Sequence, residues 1–158
     1  MTSSQDAPTD VITVDRTLTG WLARGAVAVV FAVNVQSALA FIITPASYVG
    51  GFEVSDVPGE MLVRSLGILF LMWNATYPPV IAFPWRFRAL FAVVLAQQVI
   101  GLVGETWMLV SLPAGHEALA ATATRFIAFD GAGLVLMAVA FALLMRRGTR
   151  PGAGEVGQ

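Results

Sequence analysis

The chain has 158 residues, 57% of them hydrophobic and only 12% charged, with a net charge of −1. Soluble domains carry about 25% charged residues, so this balance points to a lipid-embedded chain, and the length leaves room for one domain. The near-neutral charge gives no basis for nucleic-acid binding, the absence of Cys excludes disulfides, thiolate metal sites and a dithiol relay, and the single His116 excludes both a haem held by two His of this chain and a His-rich metal site.

Residues 1–17 are polar and lack apolar periodicity, which predicts a disordered tail. Asp6, Asp10 and Asp15 precede any basic residue, and the apolar run from Trp21 to Ile43 is too long for the core of a signal peptide. An uncleaved first span is expected over about 18–44, with Trp21 at its entry and Asn34, Gln36 and Ser37 as its polar interior residues. Pro45 ends it. The connection Pro45 to Glu60 carries Glu53, Asp56 and Glu60 and no base.

A second span is expected over about 61–83. Arg64 lies one turn inside it, and Asn74 and Tyr77 precede Pro78-Pro79. Two prolines remove two backbone donors, which predicts a kink or helix end. Pro84-Trp85-Arg86-Phe87-Arg88 is a tight basic connection to a third span over about 89–112. After Pro113-Ala114-Gly115-His116-Glu117, a fourth span is expected over about 118–145, closed by Arg146, Arg147 and Arg150. The four-helix domain thus covers 18–147, and the Gly/Pro-rich stretch 148–158 reads as a second disordered tail. The fold class is all-α, an integral membrane four-helix bundle. Arg falls at the two ends of the chain and in the second connection, so the positive-inside rule places both termini in the cytoplasm.

Residue counting sets the depth of the polar side chains at about 1.5 Å per residue. Glu105 and Arg125 each lie about 10 Å below the outer face, on spans joined by a short turn, which predicts an ion pair between antiparallel neighbours. Gln36 approaches that level and Arg64 lies nearer the surface. Asn74, Gln98 and Asp130 form a deeper layer at roughly 20 Å, with Asn34 somewhat shallower. Gln98 and Glu105 are seven apart and share a helix face. Arg125 and Asp130 are about 140° apart, so one of them is expected to turn away.

These residues have two readings. Asn34, Gln36, Ser37 and Gln97 suit interhelical glue, and Tyr77 and Trp73 suit packing. Charges at depth are costly, so Glu105, Arg125 and Asp130 call for either a structural network or a ligand. His116 reads as an ordinary loop residue.

The layout resembles the DoxX-like group of small four-helix membrane proteins. The likeness covers about residues 18–147 and rests on size, on Pro45-Ala46-Ser47-Tyr48 leading into a Gly-containing loop, and on Arg64-Ser65-Leu66-Gly67 opening the second span. It implies a membrane subunit tied to quinone-linked redox, sulfur metabolism or an oxidant-response complex, and it carries over no catalytic residue.

The function expected from these readings is that of a non-enzymatic, multi-pass protein of the cell (inner) membrane. It would act as a subunit or small-molecule binder, its polar cavity drawing on Glu105, Arg125, Asp130, Gln98, Asn74, Arg64, Gln36, Asn34 and Tyr77. The alternatives are a quinone-binding redox subunit and a small proton-coupled transporter. No cofactor motif is evident; quinone enters only through the first alternative. The expected partners are the lipid bilayer and a membrane subunit or second copy of the chain.

Overall fold

The computed structural model describes the backbone of residues 9–148 and the side chains of residues 18–146. Among these residues every regular element is helical: α1 (Thr9–Ile43), α2 (Asp56–Asn74), α3 (Tyr77–Ala82), α4 (Arg88–Ser111) and α5 (Glu117–Gly148). Two short 3₁₀ turns, Pro45–Ser47 and Val49–Phe52, join α1 to α2. Four stretches are long and apolar enough to cross a membrane: Leu18–Ile43, Asp56–Ala82, Arg88–Ser111 and Glu117–Arg146. Residues 9–17, read above as tail, continue α1 backward from Leu18. Residues 1–8 and 149–158 of the two expected tails lie outside the described residues, and with them Arg150.

The double proline splits the second stretch in two. Pro78 and Pro79 fall in the first turn of α3, where a missing N–H is tolerated. The chain turns at Ala75 and Thr76 between the two helices. There the Thr76 hydroxyl lies 3.1 Å from the Trp73 carbonyl and 3.0 Å from the side-chain oxygen of Gln97, so its proton can serve either. Gln97 thus ties this corner to α4.

Helix α1 is the central element and packs on α2, α3 and α5, while α4 packs on α5 and α3. The α1–α2 crossing is close because Gly67 has no side chain: a Cβ there would lie 2.6 Å from the Ala38 carbonyl oxygen. The backbones of α2 and α4 do not approach closely, and the Trp73 indole bridges the seam between them, 3.6 Å from where a Gly101 Cβ would lie.

Burial is uneven along the bundle. At the end where Arg24, Arg86, Arg88 and Arg146 gather, here the arginine end, Val27 and Val30 of α1 pack with Tyr77 and Val80 of α3. Phe91 and Val94 of α4 and Met137 and Leu144 of α5 complete that core. The opposite half, toward the two loops, holds cavities instead. The outward faces stay apolar: Val29 and Ile43 on α1, Leu69 and Met72 on α2, Ile100 and Val110 on α4 and Val135 on α5 are all exposed. Apolar exposure on every long helix far exceeds what a water-facing bundle tolerates.

Candidate functional site

A cavity of about 300 Å³ lies in the loop half of the bundle. Its polar lining is Asn34 and Ser37 from α1, Asn74 from α2, Gln98 and Glu105 from α4, and Arg125 and Asp130 from α5. Its apolar wall is largely aromatic, built by Phe70, Trp73, Phe126 and Phe129.

The floor is a relay of hydrogen bonds. The Tyr77 hydroxyl donates to Gln98 Oε1 at 3.2 Å. Gln98 Nε2 donates in turn to Asp130 Oδ1 at 2.8 Å and to the Asp130 carbonyl at 3.3 Å. Gln98 is 2% exposed, so both ends of its amide are used inside the protein. The α4 backbone makes room for this contact at Gly101, one turn from Gln98: a Cβ there would lie 2.8 Å from Asp130 Oδ2. Asn74 is 3% exposed. Its Nδ2 donates to the Phe70 carbonyl at 2.8 Å, which fixes the amide, and its Oδ1 is buried without a partner. Glu105 Oε2 is likewise buried without a partner.

The expected Glu105–Arg125 ion pair is absent; among the described residues the ion pair observed is His116 with Glu53. Equal depth fixed the height of the two residues and left their direction open. Asp130 faces α4, where it meets Gln98, and Arg125 lies about 140° around α5 from it, away from Glu105. The same angle was expected to send one of the two α5 charges out of the cavity, and that expectation also fails. Both line it, because the long, exposed side chain of Arg125 reaches its edge.

Other expected members sit elsewhere. Gln36 is exposed and lies outside the lining, since it is about 200° around α1 from Asn34. Ser37, three residues from Asn34, takes its place. Arg64 is half-buried near the loop end, with Nε lacking a partner, and is not among the lining residues. Tyr77 is fully buried, lies outside the lining and reaches the cavity through Gln98, to which its hydroxyl donates.

A second cavity, of about 410 Å³, lies nearer the loops. It shares Ser37, Arg125 and Phe126 with the first, so Arg125 stands where the two meet. Phe41 is the hub of its aromatic packing, with ring centroids 4.8 Å from Tyr48, 5.7 Å from Phe52 and 6.0 Å from Phe70. The loop roof is tied to α5. Thr122 donates to the Gly51 carbonyl at 2.7 Å, and Glu53 Oε1 accepts from the Ala118 and Leu119 amides at 3.1 Å each. Glu53 sits in a left-handed conformation (φ 52°) as the second 3₁₀ turn ends, and its other oxygen meets His116 Nδ1. The contact with His116, then the bond from Leu119, holds the Glu53 carboxyl below its usual range. Glu53 thus caps the first turn of α5, where a negative charge also meets the helix dipole favourably.

Sequence reasoning missed this cap and the aromatic wall. The only early signs were the lone His of the third connection facing an acid-rich first connection, and Gly101 sharing a face with Gln98 and Glu105. Among the described residues no group of His, Cys, Asp and Glu could hold a metal ion. No known protein family, curated protein or solved structure matches the chain.

Proposed function

We propose that the chain is a multi-pass membrane protein that binds a small molecule in the cavity between α1, α2, α4 and α5, without catalysing a reaction on it. The observation that carries this reading is a hollow of about 300 Å³ lined by polar residues, two of which, Asn74 and Glu105, also carry a covered oxygen with no protein partner. Such an atom costs about 1–3 kcal/mol when left unsatisfied, and a small side-chain turn toward a polar guest or ordered water would relieve that cost. The Arg residues gathered at one end support a cytoplasmic position for that end under the positive-inside rule, and with it a cavity in the outer half. The DoxX-like resemblance belongs to this proposal. It is supported by the four-helix layout and by Gly67 of the Arg64-Ser65-Leu66-Gly67 segment, whose missing side chain lets α1 and α2 cross closely.

Native mass spectrometry of the chain released from lipid nanodiscs tests the reading. A retained small molecule is expected on the wild type. It should be lost in Gly101→Val, whose Cβ would lie 2.8 Å from Asp130 Oδ2 and force that carboxyl out of its place in the lining. A wild type free of any retained small molecule overturns the reading.

A second reading is a proton-coupled carrier. It is favoured by the α2–α3 break, because Asn74 closes α2 there and lines the cavity, and broken helices often border substrate sites. It requires proteoliposome flux that Asp130→Asn reduces, and an absence of flux removes it.

A further inference from the structure

We infer that the cavity selects a compact amphipathic cation, with an ammonium head that donates to its floor and an apolar or aromatic body against its wall. This deepens the binder reading above and rests on it. The inference comes from counting which hydrogen-bonding atoms remain free.

Gln98 has no donor left, since its amide nitrogen serves the Asp130 carboxyl and carbonyl, and its oxygen already accepts from Tyr77. Asn74 has spent its nitrogen on the Phe70 carbonyl, so it offers only its oxygen, buried and unpartnered. Glu105 offers a carboxylate without a protein donor, one oxygen of it fully covered. Asp130 keeps Oδ2, which lies beside Gly101 on the cavity wall. Asn74, Glu105 and Asp130 thus bring acceptor oxygens from α2, α4 and α5, and the donor these helices add to the lining is Arg125, where the two cavities meet. Asn34 and Ser37 on α1 can adapt to either role.

Charge points the same way. Two carboxyl groups and one guanidinium line the cavity, and Arg125 is shared with the second cavity, so a bound cation would find two acids to hold it against one opposing charge. The faces of Phe70, Trp73, Phe126 and Phe129 are negative by quadrupole and favour a cation. A quinone would bring carbonyl acceptors to a floor of acceptors, and a carboxylate would meet Glu105 and Asp130 directly. An ammonium group supplies the donors that the floor lacks.

The test is ¹⁹F NMR binding of 4-fluorobenzylammonium, 4-fluorobenzyl alcohol and 4-fluorobenzoate to the full chain in nanodiscs of zwitterionic lipid, corrected with empty nanodiscs. The three probes share a body and differ in the head. The cation is expected to bind about tenfold or more tighter than the alcohol, and the benzoate not at all. Glu105→Gln should weaken the cation by about tenfold and leave the alcohol unchanged, whereas Arg125→Gln, which removes a repelling charge, should tighten it. Alcohol or benzoate binding as tightly as the cation overturns the inference and leaves the binder reading standing. Failure of all three probes to bind the wild type also overturns the inference, while the binder reading is decided separately by the retained small molecule sought in mass spectrometry. The comparison of heads is made on the wild type, so it does not depend on any variant folding.

Discussion

Gln98 reaches from α4 to α5 and donates to Asp130 Oδ1 at 2.8 Å, in the same plane of the bundle where its carbonyl accepts from Tyr77. The bond to Asp130 is the charge-assisted member of the relay and the stronger one. Gln98→Leu should destabilise the bundle by about 1.5–3 kcal/mol, because it removes the donor to Asp130 and the acceptor of the Tyr77 hydroxyl at once. Tyr77→Phe should cost only about 0.6 kcal/mol, the mean for a hydrogen bond within a membrane bundle. Reversible unfolding in mixed micelles measures both, and equal costs would contradict the relay.

The glycines allow a sharper steric comparison. Gly67→Ala places a methyl group 2.6 Å from a backbone oxygen of α1 and 2.8 Å from Ile42 Cγ1, so the two helices must part. A loss of about 1–3 kcal/mol is expected from overpacking. Gly25→Ala meets nothing within 4 Å and should gain about 0.5–1 kcal/mol from helix propensity alone. Opposite signs in one unfolding series support the close crossing; matching signs count against it.

Glu105 and Arg125 should behave independently. Breaking a buried pair costs roughly 3–5 kcal/mol and couples the two sites strongly. With no pair formed, Glu105→Gln and Arg125→Gln should add to within about 0.5 kcal/mol in a double-mutant cycle. Coupling well above that would mean that the two charges meet in the membrane.

The Glu53 cap gives the loop end a pH dependence. Its carboxyl is held below the usual range, so its contribution is present above the ordinary carboxylate value and is lost as pH falls through the lowered one. Hydrogen exchange at the Ala118 and Leu119 amides should therefore accelerate at acid pH relative to mid-α5 amides, beyond the ordinary pH effect on exchange chemistry. Glu53→Gln should show much of that acceleration at neutral pH. If exchange at these amides does not respond to Glu53→Gln, the cap is absent in solution.

Topology is directly measurable because the chain has no Cys. Ser47 and Arg86 are both exposed, at opposite ends of the bundle. In intact cells an impermeant maleimide should label Ser47→Cys, while Arg86→Cys should react only after lysis. The reverse pattern would invert the orientation.

Some of this was legible in the residues. The long apolar runs locate the four membrane-length helices, and Pro78-Pro79 locates the break between α2 and α3. Counting also placed Gln98 level with Asp130, and the two are bonded. Height along a helix is additive and survives simple arithmetic. Direction around it is not, because it depends on which neighbour each face meets. That is why Gln36, level with the cluster, misses the lining that Asn34 and Ser37 join, and why Arg125 does not pair with Glu105. The Glu53 cap joins residues more than sixty positions apart through a left-handed turn, and no local pattern announces such a contact.

The seam between α2 and α4, bridged by the Trp73 side chain, has a consequence for supply under the proposed membrane placement. A guest dissolved among the acyl chains would then reach the hollow by sideways diffusion past Trp73, without passing Arg125 or the loop roof. Its working concentration is then the one in the bilayer, and the partition coefficient multiplies apparent affinity measured against the aqueous phase. Two compounds with the same head and the same fit should rank by lipophilicity in vesicles. In detergent that ranking should compress, because micelles compete for the same tails.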